Sequence, residues 1–140
     1  MGMEINAQSQ ITFLYYYDLA VPSEFYEDVM GFEMVEDQGT AKIFRVSGNA
    51  YLGIVNQKTG FHKAQPKNAV LVTLVVDDVE RWYEYLKSTG AKVVRELTVL
   101  GTANIRRFVI EDPGGYTIEV QQFLRPESIR IFHGGIRVGQ

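Results

Sequence analysis

Glu119 is the strongest candidate in this chain for acid–base chemistry. It stands in YTIEVQQF, residues 116–123, where strand alternation puts Thr117, Glu119 and Gln121 on one face. A carboxylate among β-branched and aromatic neighbours needs a cation beside it, or it takes up a proton. Arg107, in NIRRFVI, is the candidate cation. Two outcomes stay open. One is a structural Arg107–Glu119 ion pair. The other is a Glu119 that touches a ligand or removes a proton from it, with Arg107 or a tyrosine hydroxyl stabilising an oxyanion.

Arg45 resembles Arg107 in its setting. GTAKIFRV at 39–46 and GTANIRRF at 101–108 agree at five of eight positions and lie 62 residues apart, which lays Arg45 on Arg107. Such a pair is either twin anchors for an anionic ligand or twin solvated strand residues. ITFLYYYD at 11–18 sends Ile11, Phe13, Tyr15 and Tyr17 to one face and Leu14 and Tyr16 to the other. Tyrosine offers a flat apolar surface with a polar tip, suited to planar, partly polar molecules. The plainer alternative is that these rings fill the sheet. By the same alternation Leu71, Thr73 and Val75, then Tyr51, Gly53 and Val55, fall on the ligand-facing side. Ile43, Ile105 and Val109 join them from the strands that carry the two arginines.

Other chemistries are poorly provided for. Cysteine is absent, so thiol catalysis, disulfides and cysteine-held metals are excluded. The two histidines, His62 and His133, fall in stretches expected to be exposed loops. DPGG at 112–115 precedes a strand rather than a helix, so it is a turn and not a phosphate loop. A net charge of −3 gives no basic footprint for nucleic acid. No apolar run approaches the roughly 18 residues that a membrane span needs. The opening MGMEINAQSQ lacks the pattern of a secretory signal, and a soluble cytoplasmic protein is expected.

Two similar sets of elements must position these residues. The first, 10–55, begins with the strand ITFLYYYD. LAVPSEFYEDVMGF follows as a helix, with Pro22 in its first turn, Phe25, Tyr26 and Val29 on one face, and Gly31 as its stop. Strands over 32–35, 41–46 and 50–55 complete it. The second, 70–124, runs in the same order. Its strand 70–78 leads into the helix VERWYEYLKSTG, with Val79, Trp82, Tyr83 and Leu86 on its core face and Gly90 as its stop. Strands AKVV, NIRRFVI and YTIEVQQF follow. Asp18 and Asp78 are expected at helix starts, and the copies superpose as Asp18 on Asp78, Gly31 on Gly90, Arg45 on Arg107 and Leu52 on Ile118. Residues 56–69 form a polar linker. In the tail, 125–140, Pro126 breaks the preceding strand, and IRIF either pairs with a sheet edge or a neighbouring subunit or is disordered. One helix covers one face of a four-stranded sheet. The expected class is therefore α+β: two tandem βαβββ modules, 10–55 and 70–124, forming a curved, cup-shaped mixed sheet with helices outside.

The duplication, the opening DLAVPSEFYEDVMGF and the close EDPGGYTIEVQQF resemble the vicinal oxygen chelate superfamily of glyoxalases, bleomycin-resistance proteins and extradiol dioxygenases. The resemblance covers residues 10–124. It implies a divalent metal in the cup, with one ligand from the first strand and one from the fourth strand of each half. Those positions fall on Ile11, Gly53, Leu71 and Glu119, and a slip of one residue brings in only Thr12 or Val70. Glu119 alone is a ligand-type side chain, against about three protein ligands in a usual catalytic site. The departure implies a cup without metal or other cofactor, like that of the family branch that sequesters drugs. Phe13, Tyr15, Tyr17, Arg45 and Tyr51 would then contact a small planar or aromatic ligand, with Thr73, Arg107, Glu119 and Gln121. The alternative is a lyase, isomerase or dioxygenase of the family. It would be either metal-dependent through atypical ligands or metal-free with Glu119 as general base. A homodimer is the expected assembly.

Overall fold

A computed structural model describes residues 5–133. The chain divides into two compact units at the Pro66–Lys67 junction. Each unit has a four-stranded sheet of its own, with the strand that comes first in sequence beside the one that comes last.

In the first unit β1 is Gln10–Tyr16, β2 Glu33–Asp37, β3 Ala41–Ser47 and β4 Ala50–Asn56, in the order β1-β4-β3-β2. β1 lies parallel to β4, and the remaining pairs are antiparallel. Helix α1, Ala20–Glu24, widens into a π-helical turn over Phe25–Val29, closed by Met30 N–H donating 2.9 Å to the Phe25 carbonyl. Pro22 is tolerated because first-turn N–H groups have no intrahelical acceptor. Asp18 accepts from the Ala20 N–H at 3.0 Å, one residue ahead of the cap position at Leu19. Alternation decides what the helix covers. Leu14, Tyr16, Phe44, Leu52 and Ile54 are all buried, and Tyr26 packs on Phe44 with ring centroids 6.0 Å apart. Each such side chain contributes about 1.5–3 kcal/mol of apolar burial.

In the second unit β5 is Leu71–Val75, β6 Lys92–Leu100, β7 Ile105–Glu111 and β8 Thr117–Phe123, in the order β5-β8-β7-β6. Helix α2, Val79–Ser88, is capped by Asp78, whose carboxylate accepts from the Arg81 N–H. It buries Val79, Tyr83 and Leu86 against a face that includes Phe108. Trp82, expected in the core, is only half-buried, because the apolar stripe passes through Tyr83 instead. Both helices stop on a glycine in the left-handed region, Gly31 at φ 74° and Gly90 at φ 82°, which an L side chain adopts only with strain. In the DPGG turn, Asp112 accepts from the N–H groups of Gly114 and Tyr116, each at 2.9 Å.

Three expectations need correction. β6 extends six residues past the expected AKVV, because Arg95 to Leu100 still pair with β7 across two irregularities. The IRIF segment is not a strand. Pro126 opens a third helix, α3, Pro126–Phe132, since its fixed φ suits a first helical position. His133 is not a free loop residue, for its Nε2 accepts from the Phe123 N–H at 3.0 Å and ties the end of α3 to β8. The tail beyond residue 133 lies outside the described residues.

Candidate functional site

In the second unit the sheet face away from α2 carries the candidate polar centre. Thr73 of β5 lies directly opposite Glu119 of β8, and Arg107 of β7 lies opposite Gln121. Thr73 Oγ1 donates to Glu119 Oε1 at 2.9 Å, and Arg107 Nη1 donates to Glu119 Oε2 at 3.1 Å. Glu119 is buried and Arg107 largely so. Both carboxylate oxygens are therefore engaged by donors from neighbouring strands. The guanidinium Nε is buried and has no hydrogen-bond partner. Sequence alternation thus brought Thr73, Arg107, Glu119 and Gln121 onto one patch, and the expected Arg107–Glu119 pair is present. Leu71 and Val75 flank it on β5 and keep substantial exposure.

The opposite face of the same sheet holds the displaced titrations. Arg106 hydrogen-bonds Glu80 and adds its charge at 3.2 Å, which together hold that carboxyl below its ordinary value. Tyr83 donates a short hydrogen bond to Glu96, which, with burial, pushes the phenol up.

In the first unit the position matching Glu119 is Gly53, and the one matching Thr73 is Phe13, which lies opposite Gly53 in register. The Phe13 ring covers the glycine so closely that a Cβ there would fall 2.4 Å from two ring carbons. A polar pair in one unit is thus replaced by a phenyl ring lying on bare backbone in the other. Tyr15, one step along β1, faces Val55 and is overlain by Gly60, whose Cβ would fall 2.7 Å from the ring. His62 meets Tyr15 edge-on at 5.4 Å, and Phe61 meets His62 edge-on at 4.7 Å. Sequence reasoning assigned Phe61 and His62 to a polar linker; the adjacent ring pair in that stretch was the available signal. Tyr17 lies beyond the end of β1 and is exposed, so the alternation that grouped it with Phe13 does not reach it.

Arg45 is not the counterpart of Arg107. Its register partner is Tyr51, whereas the second-unit position in that place is Glu111, opposite Thr117. The residue matching Arg107 is Ala41, opposite Val55. The repeated letters are displaced by four residues in space, because the offset between the units is 66 along this hairpin and 62 in the GTA segments. Arg45 is instead an exposed strand residue. It donates 2.7 Å to the Tyr51 hydroxyl and 2.8 Å to the Gly48 carbonyl, with Glu33 at 3.5 Å.

A divalent ion is poorly served within either unit. Ile11 and Gly53 supply no donor, Leu71 supplies none, and the cationic Arg107 occupies one side of Glu119. Among the described residues no three His, Asp or Glu side chains converge as a metal-binding group.

Two sheets of this topology, each with its helix on one face, define the glyoxalase-type α+β class. The sequence profile of the Glyoxalase/Bleomycin resistance protein/Dioxygenase superfamily matches residues 9–120, and the chain belongs to that superfamily. Similar solved structures include a glyoxalase/bleomycin resistance protein/dioxygenase from Nocardioides, at 17% identity with 89% of each chain covered and a TM-score of 0.71. Lactoylglutathione lyase from Agrobacterium tumefaciens aligns at 22% identity over 85% of this chain and 96% of its own, with a TM-score of 0.69. TioX from a Micromonospora species aligns at 16% identity over 84% of this chain and all (100%) of its own, with a TM-score of 0.68. At these identities the likeness is one of fold. No curated protein matches the sequence. Among the described residues no helix is long and apolar enough to cross a membrane.

Proposed function

We propose that this protein binds a small, planar, partly polar organic molecule without a metal ion, as a sequestering or resistance-type member of its superfamily. The observation that carries this is the pairing of Glu119. A carboxylate that accepts from Thr73 and is paired with the cationic Arg107 is a poor ligand for a further cation, while apolar side chains beside both helix-distal faces, Ile11, Phe13, Leu71 and Val75, remain over a third exposed. Surfaces of that kind, with a few fixed polar groups, suit organic ligands. The family resemblance suggests a homodimer, and the sequence suggests a soluble cytoplasmic protein; a native mass of twice the 15.9 kDa chain tests the assembly. The decisive experiment combines elemental analysis of the isolated protein with thermal denaturation against a panel of small planar aromatic compounds, with bleomycin as a larger comparison drug. A saturable rise in melting temperature that survives EDTA is expected. One tightly held divalent ion per chain, with binding lost on chelation, would overturn the proposal.

The burial of Glu119 beside a hydroxyl and a guanidinium favours one second reading, a metal-free enzyme with Glu119 as general base. Glu119→Gln would then lower turnover about 100-fold or more while ligand binding persists. Retained turnover would remove Glu119 from that role.

A further inference from the structure

We infer that the loop after β4, with Phe61 at its tip and His62 beneath it, forms part of the ligand site of the first unit and selects planar aromatic anions. The inference rests on the ligand-binding function proposed above and specifies which residues and which ligand class it involves.

Four observations carry it. The Phe61 ring is 90% exposed, the most exposed large hydrophobic side chain among the described residues. The loop that holds it is nevertheless tightly built. The N–H groups of Thr59 and Gly60 donate to the Asn56 carbonyl, and Lys58 N–H donates to Asn56 Oδ1 at 2.9 Å. Ala64 N–H donates to Gln57 Oε1, and Lys63 Nζ to the Gln57 carbonyl at 3.0 Å. A bare phenyl on a fixed loop loses little conformational freedom when a ligand arrives, as a pre-organised anchor should.

The rings are also continuous with the candidate ligand face. Phe61 meets His62 at 77°, and His62 meets Tyr15 at 73°, in two successive edge-to-face contacts leading to β1. Gly60 permits this closeness, since a side chain there would collide with both Tyr15 and Val55. The mixed orientations leave ring faces at right angles, a corner into which a flat molecule can stack on one ring and meet the edge of the next. Finally, the charge is one-sided. Residues 56–66 contain Lys58 and Lys63 and no acidic residue, in a chain whose net charge is −3. A negative group on the ligand would be drawn to this rim.

Two dyes test the inference: the anionic 8-anilinonaphthalene-1-sulfonate and its neutral analogue N-phenyl-1-naphthylamine. Fluorescence titrations of the full chain should show saturable binding, tighter for the sulfonate. Phe61→Ala should weaken the sulfonate roughly five- to ten-fold, the loss expected for one stacked ring, and Phe61→Trp should restore it. His62→Ala should weaken it as well. Because Phe61 is so exposed, its variants should melt at the wild-type temperature, which separates lost contact from lost fold. Binding by the wild type that is unchanged in both alanine variants overturns the role of the loop alone. Equal affinity for the two dyes overturns the choice of an anion. No binding of either dye by the wild type overturns the loop site together with the function on which it rests.

Discussion

At the scale of single residues, the Arg107–Glu119 pair and the Phe13–Gly53 contact set the two units apart. Breaking a buried pair from one side leaves its partner charged and uncompensated. Glu119→Leu is therefore expected to cost about 3 kcal/mol in urea unfolding, whereas Arg107→Leu with Glu119→Leu should recover most of that loss. A double variant destabilised by the sum of the two single losses would show that the pair is not coupled. Gly53 makes a different demand. A methyl group there must push the Phe13 ring away, so Gly53→Ala should destabilise by about 1 kcal/mol in the native background and much less in Phe13→Ala. The first pair was legible in the sequence, because a lone carboxylate in an apolar strand calls for a cation. The second was not, since a glycine in a strand looks the same whether a ring or a solvent molecule lies on it.

Among the elements, the strands and the two main helices were legible, and the errors fell where periodicity is weak. AKVV reads as a short strand because Arg95, Glu96 and Thr98 interrupt its apolar pattern, yet β6 continues through them as an edge strand that need not be apolar. IRIF alternates like a strand over four residues, too few to outweigh a proline at a helix start with Glu127 in the first turn and Arg130 in the last. Only the fold shows that α3 is tied back to β8 by His133 and by Phe132 stacking on Phe123 at 4.5 Å. His133→Ala should make the Phe123 amide exchange about ten-fold faster, the effect of losing one hydrogen bond, while α2 amides stay unchanged. Uniform acceleration throughout the second unit would mean that the tie supports the whole sheet.

For the whole molecule, two groups on the helix-covered face of the second unit contribute to the response to pH. Glu80 has its carboxyl lowered from 4.5 by Arg106, so its contribution is present above about pH 4.5 and disappears as pH falls through the folded-state value. Tyr83 has its phenol raised from 10.0, chiefly by the hydrogen bond to Glu96. Its contribution is complete below about pH 10 and is lost as pH rises through the folded-state value. Urea midpoints should therefore form a plateau between these limits, with Glu80→Gln flattening the acid limb and Tyr83→Phe the alkaline one. Limbs unaltered by those variants would assign the transitions to other groups. The same scale separates what each level of description decides. Sequence alone determined the α+β class, the order of two βαβββ modules, the superfamily, and the scarcity of metal-type donors at Ile11, Gly53 and Leu71, because apolar period, turn chemistry and side-chain type are local properties. Tertiary structure decided the rest. Strand register showed that Arg45 corresponds to Glu111 and that Ala41 corresponds to Arg107. It also placed a loop read as linker on Tyr15, because which strands pair, and in what register, is fixed by contacts between residues far apart in the chain.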